Sequence, residues 1–306
     1  MLLEHKNTPF TNTFLMKYSV FTAFFTSFLF FSSCAKRSEI TFPPPKQALS
    51  NVEQNERNAP DIPDLSYLPD LPNLPSETPS PYWDVSDVDI SDVDTSRKLI
   101  SFTFDDAPAR SLERILAVFT NFNENNPDCV ATATVFCNGH FINPSSAQTL
   151  FTAYAVGWEL GNHTFSHADL PKLAPDVLQR EIDDTDALLY EIDGKQKHLL
   201  RAPYGHIDDN VKHAANVPII DWTIDTVDWT GVSADAIYNA VFSNAFSGAI
   251  VLMHDGYENT VVALKRLLPD LKKAGYQVVS VSKMAKAHQC PLKNGSVYIR
   301  ARKKTV

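Results

Sequence analysis

Leu99-Ile100-Ser101-Phe102-Thr103-Phe104-Asp105-Asp106 is the stretch on which the fold turns: a short apolar run that ends on two adjacent carboxylates. The same arrangement recurs along the chain. A β-branched run over 130–136 reads as a strand, and Trp158-Glu159-Leu160-Gly161 as a short one that runs into Asn162-His163. Leu199-Leu200 leads to Arg201, residues 217–220 with Trp222-Thr223-Ile224 lead to Asp228, and Ala249-Ile250-Val251-Leu252-Met253 leads to His254. Residues 276–281 make a last strand. Between these runs, apolar residues fall at helical spacing over 111–120, 144–156, 174–192, 233–242 and 261–274. Ser233 stands as an N-cap, and Gly275 stops the last helix. Strand and helix alternate about seven times, which implies an α/β fold of parallel βαβ units with strands buried on both faces. In parallel α/β barrels the active site lies at the C-terminal ends of the strands, and the polar residues gather there.

Those polar residues suggest a chemistry. In His163-Thr164-Phe165-Ser166-His167 two imidazoles stand four apart, a spacing that puts both on one side of a helical turn. Joined by a carboxylate from Asp105-Asp106, they make a three-ligand divalent-metal site with room for water. The second carboxylate is then free to act as a base.

Bulk properties set limits. The chain has 306 residues and 44% apolar content, enough for a sizeable core. Its net charge of −9 argues against nucleic acid as a partner, because binding phosphates needs a basic surface. Residues 1–34 read as an export signal. Residues 14–31 are apolar and aromatic with Lys17 as the only charge, then come Ser32-Ser33, Cys34 and the basic pair Lys36-Arg37. Cys34 directly after small residues suggests a lipoprotein signal, with Cys34 as the lipidated residue. An ordinary cleaved signal and a retained anchor helix are the other readings, and Met16 makes a better start than Met1. All three readings place the rest outside the cytoplasm, either membrane-anchored in a bacterial envelope or secreted.

Residues 35–97 read as a Pro- and Asp-rich linker, open because proline removes backbone donors and aspartates repel. Residues 98–288 then form the catalytic domain, and 289–306 a basic, solvated tail. Cys129, Cys137 and Cys290 allow at most one disulfide within the chain, and sequence does not choose the pair.

Five motifs stand in order: Thr103-Phe104-Asp105-Asp106, His163-Thr164-Phe165-Ser166-His167, Arg201-Ala202-Pro203-Tyr204, Asp225-Thr226-Val227-Asp228-Trp229 and Leu252-Met253-His254. Together they resemble the polysaccharide deacetylase family, the NodB-homology domain or carbohydrate esterase family 4, over roughly residues 98–285. Ala107 and Ala202 stand where the family more often has Gly and Pro. The resemblance implies a distorted (β/α) barrel of about seven parallel strands, preceded by a disordered linker.

It also implies roles. Asp106, His163 and His167 would hold one divalent metal, zinc by preference. Asp105 would be the base, kept ionised by Arg201, and Tyr204 would offer its backbone N–H to the oxyanion. His254 would be the acid, held protonated by Asp228, and Trp229 and Leu252 would receive the acetyl methyl. The expected activity is metal-dependent removal of acetyl groups from an extracellular glycan, with the chain acting as a monomer. The first expectation is the N-acetyl amide of N-acetylglucosamine in peptidoglycan or a chitin-like polymer. An O-acetyl ester of xylan is the alternative, and a non-catalytic carbohydrate-binding lipoprotein the second. A glycosidase is disfavoured, because adjacent aspartates do not readily flank one glycosidic bond.

Overall fold

The structure is a computed structural model that describes residues 80–302. The export segment with Cys34, most of the linker and the last four residues lie outside that range. Among the described residues no helix is long and apolar enough to cross a membrane.

The apolar runs form parallel strands, as their composition requires. β1 (Lys98–Ala107) is central, with β2 (Thr134–Cys137) and β3 (Glu159–Asn162) to one side, β6 (Ile250–His254) and β5 (Ile224–Asp225) to the other. β7 (Tyr276–Val278) pairs with the first residues of β1. Single parallel bridges from Asn162 to Leu200 and from Leu200 to Ile219 carry the wall on to β4 (Ile219–Ile220) and β8 (Val297–Tyr298). The wall is therefore a distorted barrel, regular around β1 and reduced to two-residue strands elsewhere.

Helices α1 (Leu112–Asn125), α2 (Pro144–Ala155), α3 (Pro175–Asp193), α5 (Ala234–Phe242) and α6 (Glu258–Lys273) fall close to the periodic stretches. Ser233 caps α5 by accepting the Ala236 N–H, and Gly275 (φ 83°) adopts the left-handed conformation that ends α6. Two short helices, α4 (Asp209–Ala215) and α7 (Val281–Ala287), had too few turns to show a period.

An aromatic trio lies within the largest, mainly aliphatic, core cluster. Phe104 stacks on Trp158 at 5.9 Å, and Phe119 meets the same indole edge-on at 4.7 Å. Trp158 is thus a core residue rather than a sugar platform. Gly161 lets β3 lie against Phe136, whose ring would be 2.6 Å from an added Cβ. Cys129, Cys137 and Cys290 are all free.

Two segments differ from their expected character. Residues 80–97 were expected to belong to an open spacer, yet they lie against the domain. Trp83 packs beside two core clusters and donates its N–H to Leu292 O at 2.7 Å. The aspartates do not simply repel: Asp84, Asp89 and Asp94 each accept the N–H two residues on, from Ser86, Ser91 and Ser96. Lys283 pairs with Asp92 at 2.6 Å, and Lys286 donates to the carbonyls of Ser86 and Val88. Residues 289–302 are likewise not a free tail. They contain β8, and Ala301 is buried and accepts from His288 Nδ1 at 2.7 Å.

Candidate active site

β1 does not stay regular to its end. Phe104 faces Val135 and Ala107 faces Cys137, so two residues, Asp105 and Asp106, oppose one. This is a β-bulge, with Asp106 at φ 60°. In a regular strand neighbouring side chains point to opposite faces. The bulge cancels that alternation and brings both carboxylates to one point. Asp105 Oδ2 is 3.7 Å and Asp106 Oδ1 3.8 Å from His163 Nε2.

His163 follows β3 directly, and its loop departs from the expected helical turn. Thr164 (φ 67°) and His167 (φ 59°) are left-handed, and Asn162 Oδ1 accepts the Thr164 N–H at 2.8 Å. The two imidazoles still meet, with ring centres 4.9 Å apart. His167 Nε2 lies 3.6 Å from Asp106 Oδ1. One ligand atom from each of Asp106, His163 and His167 lies within 4.8 Å of the others. His163 Nδ1 faces Arg201 O at 2.8 Å. A carbonyl only accepts, so Nδ1 carries the proton and Nε2 keeps its lone pair for a cation. Burial and the neighbouring His163 lower the His167 pKa, outweighing the nearby aspartates and favouring the neutral imidazole that a metal binds. The Asp106 separations of 3.8 and 3.6 Å lie close to the roughly 3.3 Å between neighbouring ligand atoms of a tetrahedral site, so this donor set fits one divalent ion.

Asp105 is buried. Burial alone would raise its pKa, but Arg201, His163 and His254 outweigh it and hold the carboxyl below its usual range. The Arg201 guanidinium, 0% exposed, gives Nη1 to Asp105 Oδ1 at 2.8 Å and to Thr103 Oγ1 at 2.6 Å. Its Nε reaches Ile220 O at 2.9 Å, and its plane lies 4.2 Å from the Phe136 ring centre.

His254 ends β6, beside Asp105 in register. Asp228 Oδ1 holds its Nδ1 at 2.7 Å, and Asp228 Oδ2 accepts from the His254 N–H and Thr260 Oγ1. Burial pulls the His254 pKa down, but the Asp228 hydrogen bond and the charges of Asp105, Asp228 and Asp106 raise it above the ordinary value.

Tyr204 (φ 62°) is 61% exposed, its ring centre 4.7 Å from that of His167. Trp229 is also exposed, beside Asp228. Leu252 is buried but belongs to none of the core clusters that take its neighbours Val251 and Met253.

Sequence reasoning missed Asp255. Its carboxylate accepts the Ala109 and Ser111 N–H groups, and its own N–H bonds Asp105 O at 2.9 Å. It thereby fastens the chain after the bulge to the end of β6. Its position directly after His254 was the available signal. Asn138 and Asn162, which hold the His163 loop, were missed too, because buried amides carry no motif.

The polysaccharide deacetylase family model matches residues 92–218. A peptidoglycan-N-acetylglucosamine deacetylase of Bacillus cereus is 35% identical over 193 residues, which cover 60% of this chain and 67% of that protein. The chain belongs to the polysaccharide deacetylase family. A peptidoglycan-N-acetylmuramic acid deacetylase of Bacillus subtilis is 30% identical over 63% of this chain, which spans only 40% of that protein's length. The solved structure of a family 4 acetyl xylan esterase from Clostridium thermocellum, in complex with a cobalt ion, superposes with a TM-score of 0.61 at 25% identity, covering 66% of this chain and 98% of that one. The deacetylase's fifth motif, at His254, lies beyond the matched residues 92–218, so its place in the site rests on the β1–β6 pairing.

Proposed function

We propose that this polysaccharide deacetylase removes acetyl groups from an extracellular glycan in a metal-dependent hydrolysis, with N-acetylglucosamine units of peptidoglycan or a chitin-like polymer as substrate. The observation that carries the reading is the convergence of Asp106, His163 and His167 beside the Asp105–Arg201 pair. Those three residues would hold one divalent ion, zinc by preference for an Asp/His₂ donor set. When bound, such an ion polarises the acetyl carbonyl and makes water more acidic.

The chain's own groups do the rest. Asp105, kept ionised by Arg201, takes the proton from the attacking water. The Tyr204 N–H donates to the oxygen that becomes negative. His254, held as an imidazolium by Asp228, gives its proton to the departing amine nitrogen. Trp229 and Leu252 receive the acetyl methyl. Resemblance to the acetyl xylan esterase keeps an O-acetyl ester as the second reading, since the same acid serves a departing sugar oxygen.

The domain borders proposed are 1–34 for export with lipidation at Cys34, a spacer from residue 35, and a catalytic unit over 98–288 against which residues 80–97 pack. The tether would let a monomeric catalytic unit act on the envelope from a membrane surface.

The deciding experiment measures acetate released from N-acetylated chito-oligosaccharide, peptidoglycan and acetylated xylan, with metal content determined on the same sample. Release from the N-acetylated substrates, lost on chelation and restored by zinc, is expected. Equal activity of the metal-free protein, or no release from any substrate by the loaded protein, would overturn the reading.

A further inference from the structure

Next to His163 runs a buried polar chain that the proposed chemistry does not use. Asn162 is 0% exposed, and each polar position of its amide is engaged. Oδ1 accepts the Thr164 N–H at 2.8 Å, while Nδ2 donates to Ile182 O and Asp186 Oδ1, both at 2.9 Å. Asp186, buried on α3, also receives His198 Nδ1 at 2.9 Å, and Lys197 Nζ lies 3.3 Å away. The second nitrogen of His198 faces Asp193 Oδ1 at 3.2 Å.

We infer that Asp186, His198 and Asp193 act through Asn162 as positioning residues that set the metal affinity of the site by fixing the backbone of His163 and Thr164. The inference rests on the reading of Asp106, His163 and His167 as ligands.

Thr164 is β-branched and sits at φ 67°. Such a conformation is strained for a β-branched residue and persists only where its surroundings over-determine it. Two amides do so here. Asn138 Nδ2 donates to His163 O at 2.7 Å, and Asn162 Oδ1 takes the next N–H. An amide can swap its oxygen and nitrogen, so Asn162 works only if something fixes its orientation. A backbone carbonyl and a carboxylate, neither able to donate, face its nitrogen. His198 Nδ1 at 2.9 Å and Lys197 Nζ at 3.3 Å face that carboxylate and hold it against the amide. With a carboxylate on each nitrogen, both nitrogens of His198 carry protons. Burial would lower its pKa, but the hydrogen bonds to Asp186 and Asp193 raise it. Without His198, Asp186 is left buried beside a half-exposed lysine. Its carboxylate then loses the hydrogen bond that aims it at Asn162 Nδ2, and the amide loses one of the two acceptors that fix its sense.

An ion cluster that merely ties α3 to β3 would look similar, so the test separates affinity from stability. Zinc dissociation constants are measured on the full-length chain by competition with a chromophoric chelator, alongside melting of the metal-free protein. Asn162→Ala and His198→Gln should each weaken zinc binding about tenfold or more. Their double variant should be no weaker than the worse single, because both act on one element. Leu271→Ala, a cavity in distant α6, should lower the melting temperature and leave zinc affinity unchanged. Should His198→Gln not fold, the near-isosteric Asp186→Asn replaces it. Affinities within twofold of the unsubstituted chain, or single effects that multiply in the double variant, would overturn the inference. Absence of stoichiometric zinc binding by the unsubstituted chain would instead remove the ligand reading beneath it.

Discussion

The site has two halves built to different standards. In one, Asp105–Arg201 and His254–Asp228 are joined by hydrogen bonds of 2.8 and 2.7 Å, and Asp105, Arg201 and Asp228 are all buried. In the other, Asp106 Oδ1 stands 3.8 Å from His163 Nε2 and 3.6 Å from His167 Nε2, with the side chains of Asp106 and His167 about one-third exposed. The first half is complete within the chain: each charge has its partner, and those partners set which groups hold protons. The second is a set of lone pairs too far apart for good hydrogen bonds and spaced to share a cation. On the proposed function, folding alone places the proton-handling groups, while the metal-binding set would be completed by its ion.

The sharpest attempt to break this division is Asp105→Asn. It removes the proposed base and should cut kcat by about 10²–10⁴-fold. If the halves are separate, zinc affinity, read by chelator competition, stays within a few-fold of the unsubstituted enzyme. Asp105 Oδ2 is only 3.7 Å from His163 Nε2, so a large loss of affinity would show that Asp105 belongs to the ligand set as well.

Arg201→Met tests the finished half through stability. It leaves Asp105 buried and unpaired, a change that costs roughly 3–5 kcal/mol. Urea denaturation of the metal-free protein should show that loss. An effect below about 1 kcal/mol would mean that the pair contributes to function alone.

How far these features could be read in advance follows from their physics. Strand ends and amphipathic helices such as α3 and α6 impose periods on the sequence, and their positions were legible. The convergent residues Asp106, His163 and His167 and both acid–base candidates were legible because the proposed chemistry restricts them to a few residue types. The β1 bulge was not, because it is a register event with no composition of its own. Nor was the left-handed His163 loop, whose shape depends on Asn162 and Asn138 finding partners far away in the chain. The packed segment at 80–97 was misread because aspartate runs repel when free, whereas here turns and two lysines absorb their charge.

Asp228→Asn sharpens the comparison through pH. His254 is raised above its ordinary pKa, so it loses its proton only as pH rises past that raised value. Activity that needs the imidazolium therefore falls on the alkaline side. Removing the Asp228 charge lowers the His254 pKa and moves that limb toward acid, each unit of movement costing tenfold in kcat at a fixed alkaline pH. The acid limb, set by the depressed Asp105, should stay in place. A kcat–pH profile whose alkaline limb does not move would deny Asp228 its part in the finished half.

The smallest effect comes from a charge pair of similar closeness outside the site. Lys283 Nζ lies 2.6 Å from Asp92 Oδ2, with side chains 9% and 27% exposed, and it fastens residues 80–97 to α7. Lys283→Met keeps most of the apolar stem and deletes the charge. The loss should be about 1 kcal/mol, or a fall of roughly 2–4 °C in melting temperature for a domain of this size. Proteolysis within 84–97 should quicken, because remaining anchors such as the Gln277 bonds to Asp92 O and the Asp94 N–H each hold only one part of the segment. Zinc affinity and kcat should not change. If they do, ion pairs here are coupled to catalysis wherever they lie, and the contrast between a finished half and an open one loses its meaning.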